Sequence, residues 1–211
     1  MLPLLLLQLV AGAELPAENT STRVTGGVLA PAFLPGGTNA LYGFVGAPEL
    51  GVGYRQGFGV FEFEARALFN LFEVSTVLEA GGKLGVYSTD KLRLAPTLAL
   101  GLELNAGARY FDRANFGFVG LRPRLGFVAS YAFTETVSGV AQFDLPWAIG
   151  LTAQGFQLTP TVGAGAEFHL GGSWSLLVSA HVGFDATKEP LGVVQYRPAW
   201  AGRLGLGYRL F

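Results

Sequence analysis

The chain has 211 residues, 14 Lys and Arg against 15 Asp and Glu for a net charge of −1, no cysteine and 31 glycines. That composition excludes a disulfide framework and cysteine-ligated zinc, and leaves no basic face for nucleic acid. Half of the residues are hydrophobic and only 14% are charged, as in a membrane protein. Yet the longest uncharged run, residues 24–48, is broken by Pro31, Pro35, Gly36, Gly37 and Pro48, so it cannot supply the roughly 20 continuous apolar residues of a spanning helix.

The start, MLPLLLLQLVAGAELPAENT, has a short apolar core followed by Ala11-Gly12-Ala13, small residues spaced as at a secretory cleavage site. Residues 1–13 are therefore expected to be a signal peptide and residues 14–22 a polar lead-in, although a positive residue before the apolar core is missing. Residues 23–33 form a strand candidate weakened by Gly26, Gly27 and Pro31. LPGGTN, residues 34–39, is turn chemistry. Residues 41–55 set Tyr42, Phe44, Gly46, Leu50, Val52 and Tyr54 against Gly43, Ala47, Glu49, Gly51 and Arg55, which predicts one strand. Phe61, Phe63, Ala65, Ala67 and Phe69 then oppose Glu62, Glu64, Arg66 and Leu68, and Thr76, Leu78, Ala80 and Leu84 oppose Glu79, Gly81 and Lys83.

The clearest element is residues 91–105, KLRLAPTLALGLELN. Leu92, Leu94, Pro96, Leu98, Leu100, Leu102 and Leu104 point one way, and Arg93, Ala95, Thr97, Ala99, Gly101, Glu103 and Asn105 the other. A period of two is the signature of a strand between two surroundings; a helix would scatter these leucines around its circumference. After a predicted loop at 106–115 come Val119, Leu121, Pro123, Leu125, Phe127 and Tyr131 against Arg122, Arg124 and Ser130. Next are Val137, Ala141, Phe143, Leu145 and Trp147 against Gln142 and Asp144, with a predicted loop at 148–157. Leu158, Val162, Ala164 and Phe168 then oppose Thr161, Glu167 and His169, and Trp174, Leu176, Val178, Val182 and Phe184 oppose Ser175, Ser179 and His181. A predicted loop at 185–198 leads to Trp200, Leu204, Leu206, Tyr208 and Leu210 against Arg203, Gly205, Gly207 and Arg209.

Three regularities point to a membrane barrel. From Gly57 onward every charge within a strand falls on one parity, as expected where the other parity meets hydrocarbon, because a lipid-facing Arg or Lys costs about 2–4 kcal/mol at the midplane. Tight connections at 88–90, 134–136 and 171–172 alternate with longer ones. Aromatic residues gather at the strand ends, with Tyr87, Tyr131, Phe133, Phe168, Trp174 and Tyr208 beside the tight turns and Trp147, Phe184 and Trp200 at the other rim. A soluble sandwich or lipocalin-like barrel also alternates, but it would expose to water a parity diluted by Gly81, Gly85, Gly101, Gly163, Gly165, Gly205 and Gly207. The expected fold is all-β, a transmembrane antiparallel up-and-down barrel of ten strands spanning residues 23–211, with eight as the alternative.

With this pattern and its final LGLGYRLF, the chain resembles the outer-membrane β-barrel family of small OmpA-type or porin-like proteins. The resemblance implies export to the outer membrane of a Gram-negative bacterium, contact with its lipid, insertion by the barrel-assembly machinery, and a monomer. It also implies that Leu204, Leu206, Tyr208, Leu210 and Phe211 carry the assembly signal, although Phe211 is out of phase with the apolar row. A deacylase-like site would need a serine two residues after a histidine, but Leu170-Gly171 follows His169 and Val182-Gly183 follows His181. An omptin-like site would need an Asp-x-His pair. No catalytic residue, cofactor or metal is expected. The polar parity instead predicts a lumen charge network of Glu62, Glu64, Arg66, Glu79, Lys83, Arg93, Glu103, Arg122, Arg124, Asp144, Glu167, His169, His181, Arg203 and Arg209. Its role would be a register-holding plug or a charged path for small solutes. The functions expected are structural, surface-interaction or weak small-solute transport, with a diffusion porin or a barrel enzyme as alternatives.

Overall fold

The structure is a computed structural model that describes residues 27–109 and 115–210. The expected signal peptide and lead-in, residues 23–26 and the terminal Phe211 lie outside the described residues. The strands are β1 (Asn39–Ala47), β2 (Glu49–Phe58), β3 (Phe61–Asn70), β4 (Ser75–Leu84), the short β5 (Tyr87–Ser88), β6 (Leu92–Ala106), β7 (Gly117–Ala132), β8 (Val137–Gly150), the short β9 (Phe156–Leu158), β10 (Thr161–Gly171), β11 (Trp174–Lys188) and β12 (Val194–Arg209). All but β5 and β9 are staves of one antiparallel barrel. It closes where β12 pairs with β1, Leu41 opposite Tyr208, and where β8 pairs with β10, Val162 opposite Phe143. Closure satisfies the main chain within the wall, as hydrocarbon demands.

The wall sorts residues as β6 foretells. Leu98, Leu100, Leu102 and Leu104 are exposed on the outer face, while Ala95, Thr97, Ala99, Glu103 and Asn105 are buried in the lumen. The same division holds around the barrel, from Phe61 and Phe63 on β3 to Leu204 and Leu206 on β12. An apolar belt that encircles a protein is far larger than the few hundred Å² a soluble monomer leaves in water; it is a lipid-facing surface. Aromatic pairs border it. Tyr131 and Phe133 (ring centroids 5.2 Å apart) and Trp174 and Tyr208 (4.7 Å) stand at the end where the chain enters and leaves, and Phe72 with Trp200 (6.4 Å) at the opposite, loop end.

The strand count agrees with expectation, but its make-up does not. Residues 41–55 are two staves joined at Pro48, not one. With Gly43 opposite Val52 and Phe44 opposite Gly51, even-numbered residues point inward before Pro48 and outward after it. Tyr42 and Phe44 therefore line the lumen, while Leu50 and Val52 face out. The compensating error lies upstream: residues 27–33, the described part of the first strand candidate, form no strand. They lie inside the barrel, with Val28, Ala30, Ala32, Phe33 and Leu34 buried. Two predicted loops also shrink, since β11 and β12 extend to leave only residues 189–193 between them, and β8 and β9 together take up half of 148–157.

Staves β1–β4 have 9 or 10 residues, about what crosses a membrane. In contrast, β6, β7, β8, β11 and β12 have 14 to 16. The extra length, about 15 Å at roughly 3.3 Å per residue, rises at the loop end as a one-sided wall. On its inner side Phe116 and Phe118 pack with Ala148 and Ala153.

Candidate functional site in the barrel lumen

Three layers of charge cross the lumen. At the entry end the chain itself is the occupant. Residues 27–34 cross the barrel without strand partners, so their main-chain groups need side chains to bond to. Glu167 accepts hydrogen bonds from the amides of Val28, Leu29 and Ala30 at 2.7, 2.8 and 2.7 Å. Ser130 accepts one from Ala32, and Glu62 one from Leu34 at 2.6 Å. Arg55 donates to the carbonyls of Val28, Leu29 and Pro31, and grips Glu62 with both arms of its fork at 2.8 Å. Arg209 donates to the carbonyl of Gly27, and Arg93 stands over the Phe33 ring at 5.8 Å. Glycine makes this approach possible: a Cβ at Gly57 would stand 2.1 Å from the Pro35 carbonyl oxygen.

The middle layer is a set of cross-strand pairs. Glu62 lies opposite Lys83, and Arg66 opposite Glu79, on neighbouring staves, the placement in which opposite charges meet most directly. Lys83 bridges Glu62 and Glu64 at 3.0 and 3.2 Å. Glu79 receives Arg66 and Arg124 at 2.9 and 2.8 Å, and Arg124 also reaches Asp144 at 2.6 Å. Gln142 donates to Asp144, and the Tyr42 hydroxyl to Glu64. These carboxylates have cation partners, as burial of charge requires. Between this layer and the plug remains a cavity of about 100 Å³.

Toward the loop end the layer opens into a vestibule of about 270 Å³. Arg203 donates to Glu49 at 2.5 Å and lies on the Phe44 ring at 4.9 Å. Arg122 meets Glu103 at only 3.5 Å. At the mouth, Arg197 joins Glu73 at 2.6 Å and also pairs with Asp185, while Gln157 donates to both carboxylates. Thr159 and Thr187 complete the set around Asp185. Glu73 lies in the turn between β3 and β4, outside the spanning staves. Its burial, reinforced by Asp185 and Glu103 and opposed by Arg197, holds its carboxyl above the ordinary range. Asn115 ties the same turn to the wall by donating to the Glu73 carbonyl.

The sequence-predicted residues thus divide. Glu167, Arg209 and Arg93 attend the plug, and Glu62 serves both plug and network. Glu64, Arg66, Glu79, Lys83, Arg124 and Asp144 form the middle, and Glu103, Arg122 and Arg203 the vestibule. The histidines are apart: His181 lines both cavities, whereas His169 lies near the entry-end turn with a buried Nδ1 that has no hydrogen-bond partner. Among the described residues no group of three or more His, Cys, Asp or Glu could hold a metal ion. Sequence reasoning missed Arg55, Glu49, Glu73, Asp185 and Arg197 as members of the network. Arg55 and Glu49 stand on the polar parity of residues 41–55, which alternate as if they were one strand; the others lie in predicted loops or a short connection.

No protein-family model matches the chain, and no curated protein does. Among solved structures it is similar to one described as a de novo design of transmembrane β-barrels, at 13% identity and a TM-score of 0.36, covering 84% of this chain and 99% of that one. A bacterial polysaccharide outer membrane secretin matches at 10% identity and 0.46, over 80% of this chain and 58% of that one. A KdgM porin in complex with disordered oligogalacturonate matches at 9% identity and 0.41, over 81% and 98%. What defines the fold is the molecule's own wall, in which ten paired staves close on themselves with hydrocarbon side chains outward and charges inward. The architecture is that of a transmembrane antiparallel β-barrel.

Proposed function

We propose that the protein is a bacterial outer-membrane barrel closed to free diffusion, which presents a polar vestibule at the cell surface and acts in a structural, surface-interaction or restricted small-solute role. The observation that carries this reading is the plug: residues 27–34 lie across the lumen at the entry end, gripped through their main chain by Glu167, Glu62 and Arg55. Ten staves enclose little more space than the eight that side chains just fill, whereas open aqueous channels belong to about 16–18. The plug end would face the periplasm and the mouth of Glu73, Asp185 and Arg197 the exterior. The barrel would be monomeric in outer-membrane lipid, with no catalytic step. Insertion would depend on the terminal strand, and removing Leu210 and Phe211 is predicted to lower the folded fraction seen as heat-modifiable gel mobility.

Single-channel recording on refolded protein tests closure. Wild type should show no large steady conductance, and deletion of residues 27–34 should produce openings. A large, stable wild-type current would replace this reading with that of a diffusion porin, and an unchanged closed state after the deletion would remove the plug from it.

A further inference from the structure

The outside of the wall makes two demands on the membrane that a flat bilayer does not meet together. On the side of β6, β7 and β8 the outward residues stay apolar to the loop end, where Leu104, Leu121, Ile149 and, on β9, Phe156 are exposed. From β6 round to β12 the outer face of the staves carries no Asp, Glu, Lys or Arg until Lys188 at the tip of β11. That face continues the lipid-facing belt without a break, and its size is one that proteins do not leave in water. The seam between β12 and β1 demands the opposite. Even-numbered residues of β12 turn their main-chain groups toward β1: the amide of Leu210 donates to the Asn39 carbonyl, whereas that of Arg209 donates to Ser173 beside β11. β1 ends at Ala47, opposite Gly202, while β12 runs on to Val194. The amides of Tyr196 and Trp200 and the carbonyls of Tyr196, Pro198 and Trp200 therefore point across an open edge and have no main-chain partner among the described residues. Pro198 is tolerated there because an edge strand does not need its missing N–H. Hydrocarbon cannot solvate such groups, so water or lipid headgroups must reach down this edge to the level of Pro48.

From these two demands we infer that the barrel binds membrane lipid unevenly and holds a step in bilayer thickness: acyl chains climb the outer face of β6 to β9, and the bilayer is pinched thin where β12 meets β1 and β2. Outward residues run from Val137 at the entry end to Ile149 on β8, but only from Phe58 to Leu50 on β2. At roughly 3.3 Å per residue and a stave tilt of about 40°, the difference is about 10 Å of height. Lipid is the occupant of the tall face, rather than a second copy of the chain, because the face is continuous with the belt that lipid covers and has no polar rim of the kind that borders a protein interface. A bilayer meets such a mismatch by thickening on one side and thinning on the other, at modest cost per Å. The surface-interaction role then has a partner, short or disordered acyl chains gathered at the thin sector. The inference deepens that role and rests on the barrel's place in a membrane, not on the plug.

The chain has no cysteine, so single-cysteine variants at exposed outward positions can carry a bimane label without disturbing the lumen. Ile149, Phe156, Lys188 and Val194 form one cross-strand row, and Trp200 lies below Val194 on β12, nearer the entry end. In a flat bilayer a label at Trp200 therefore sits deeper than one at Ile149; the step reverses that order. Ile149→Cys, Trp200→Cys and the mid-belt control Leu125→Cys are refolded into phosphatidylcholine vesicles with and without lipid brominated near the head of the acyl chain, and heat-modifiable mobility confirms folding. The label at Ile149 should lose most of its fluorescence to brominated lipid and little to aqueous iodide, and the label at Trp200 should do the reverse. Stronger lipid quenching at Trp200 than at Ile149 would mean a flat belt. Quenching of Ile149 by iodide alone would place the tall wall in water, and quenching by neither agent would put protein over it; each of these overturns the step. A mid-belt label that brominated lipid leaves untouched would instead remove the barrel from the membrane altogether.

Discussion

The two ends of the lumen are held by opposite means. At the entry end buried side chains grip a main chain: Glu167 takes three amides, and Arg55 gives to three carbonyls. Nothing in that grip depends on which side chains residues 28–34 carry, beyond their being small or apolar enough to be buried. At the loop end side chains grip one another, with Arg197 between Glu73 and Asp185 tying the β3–β4 turn to β11 and β12. The first arrangement fixes a segment that has no secondary structure of its own. The second fixes pieces of wall that already have theirs. Loss of a grip should therefore be costlier below than above.

The sharpest way to break the comparison is Arg55→Leu. It strands three carbonyls and leaves the fully buried Glu62 with Lys83 as its only cation among the described residues. Removing one partner of a buried pair costs about 3–5 kcal/mol, so we predict a loss of that order in urea unfolding followed by tryptophan fluorescence; an unchanged midpoint would refute the grip. Glu167→Gln is milder, since the amide oxygen still accepts, without charge, on one side, while the NH2 on the other can no longer accept from the main-chain amide that faces it. Hydrogen bonds to charged groups are worth about 1.5–3 kcal/mol against roughly 1 for neutral ones. The prediction is faster hydrogen exchange at the amides of Val28, Leu29 and Ala30, by about tenfold or more for each 1.4 kcal/mol lost, with little change at the loop end. Exchange that rises equally at both ends would mean the plug is not held separately.

Above, Arg197→Gln should loosen the turn at 71–74 by about 1–2 kcal/mol, because the mouth is partly hydrated and water screens the two carboxylates left behind. Limited proteolysis of that turn reads the effect. Cleavage as slow as in wild type would show that Asn115 and Gln157 suffice to hold it.

How much of this was legible beforehand follows from what alternation records. Strand parity marks two sides, and along β6 it placed every residue because one unbroken stave passes from turn to turn. At Pro48 the chain reverses within a single residue while the sequence keeps alternating, so parity ran on through a turn it could not register. Pro48 itself was the available signal. The plug left a weaker trace. VLAPAFLP carries no charge, and its partners lie 28 residues away for Leu34 with Glu62 and 139 for Val28 with Glu167. A carboxylate on the inward parity looks the same whether it will meet an arginine or three amides. Glu62 and Glu167 could thus be assigned to the lumen, but not to the segment they hold.

The smallest effect is predicted at Glu73, where sign matters more than size. Its carboxyl is buried, repelled by Asp185 and Glu103 and attracted by Arg197, and the balance raises it above the ordinary carboxylate value of about 4.3. The folded protein therefore binds this proton more tightly than the unfolded chain. By linkage the group's contribution to stability is fully present below the unfolded value and is lost as pH rises through the raised folded one. At neutral pH the charge is a net burden despite its hydrogen bond to Arg197. Glu73→Gln removes the titration while keeping an oxygen to accept from Arg197. We predict that it lies within about 0.5 kcal/mol of wild type in acid and gains on wild type as pH rises from the carboxylate range toward neutrality. Paired urea midpoints across that window isolate Glu73, because Asp185 is common to both proteins. A wild type that gains on the variant with rising pH would show that Arg197 outweighs burial, and would make the mouth an ion pair that stabilises in the ordinary way.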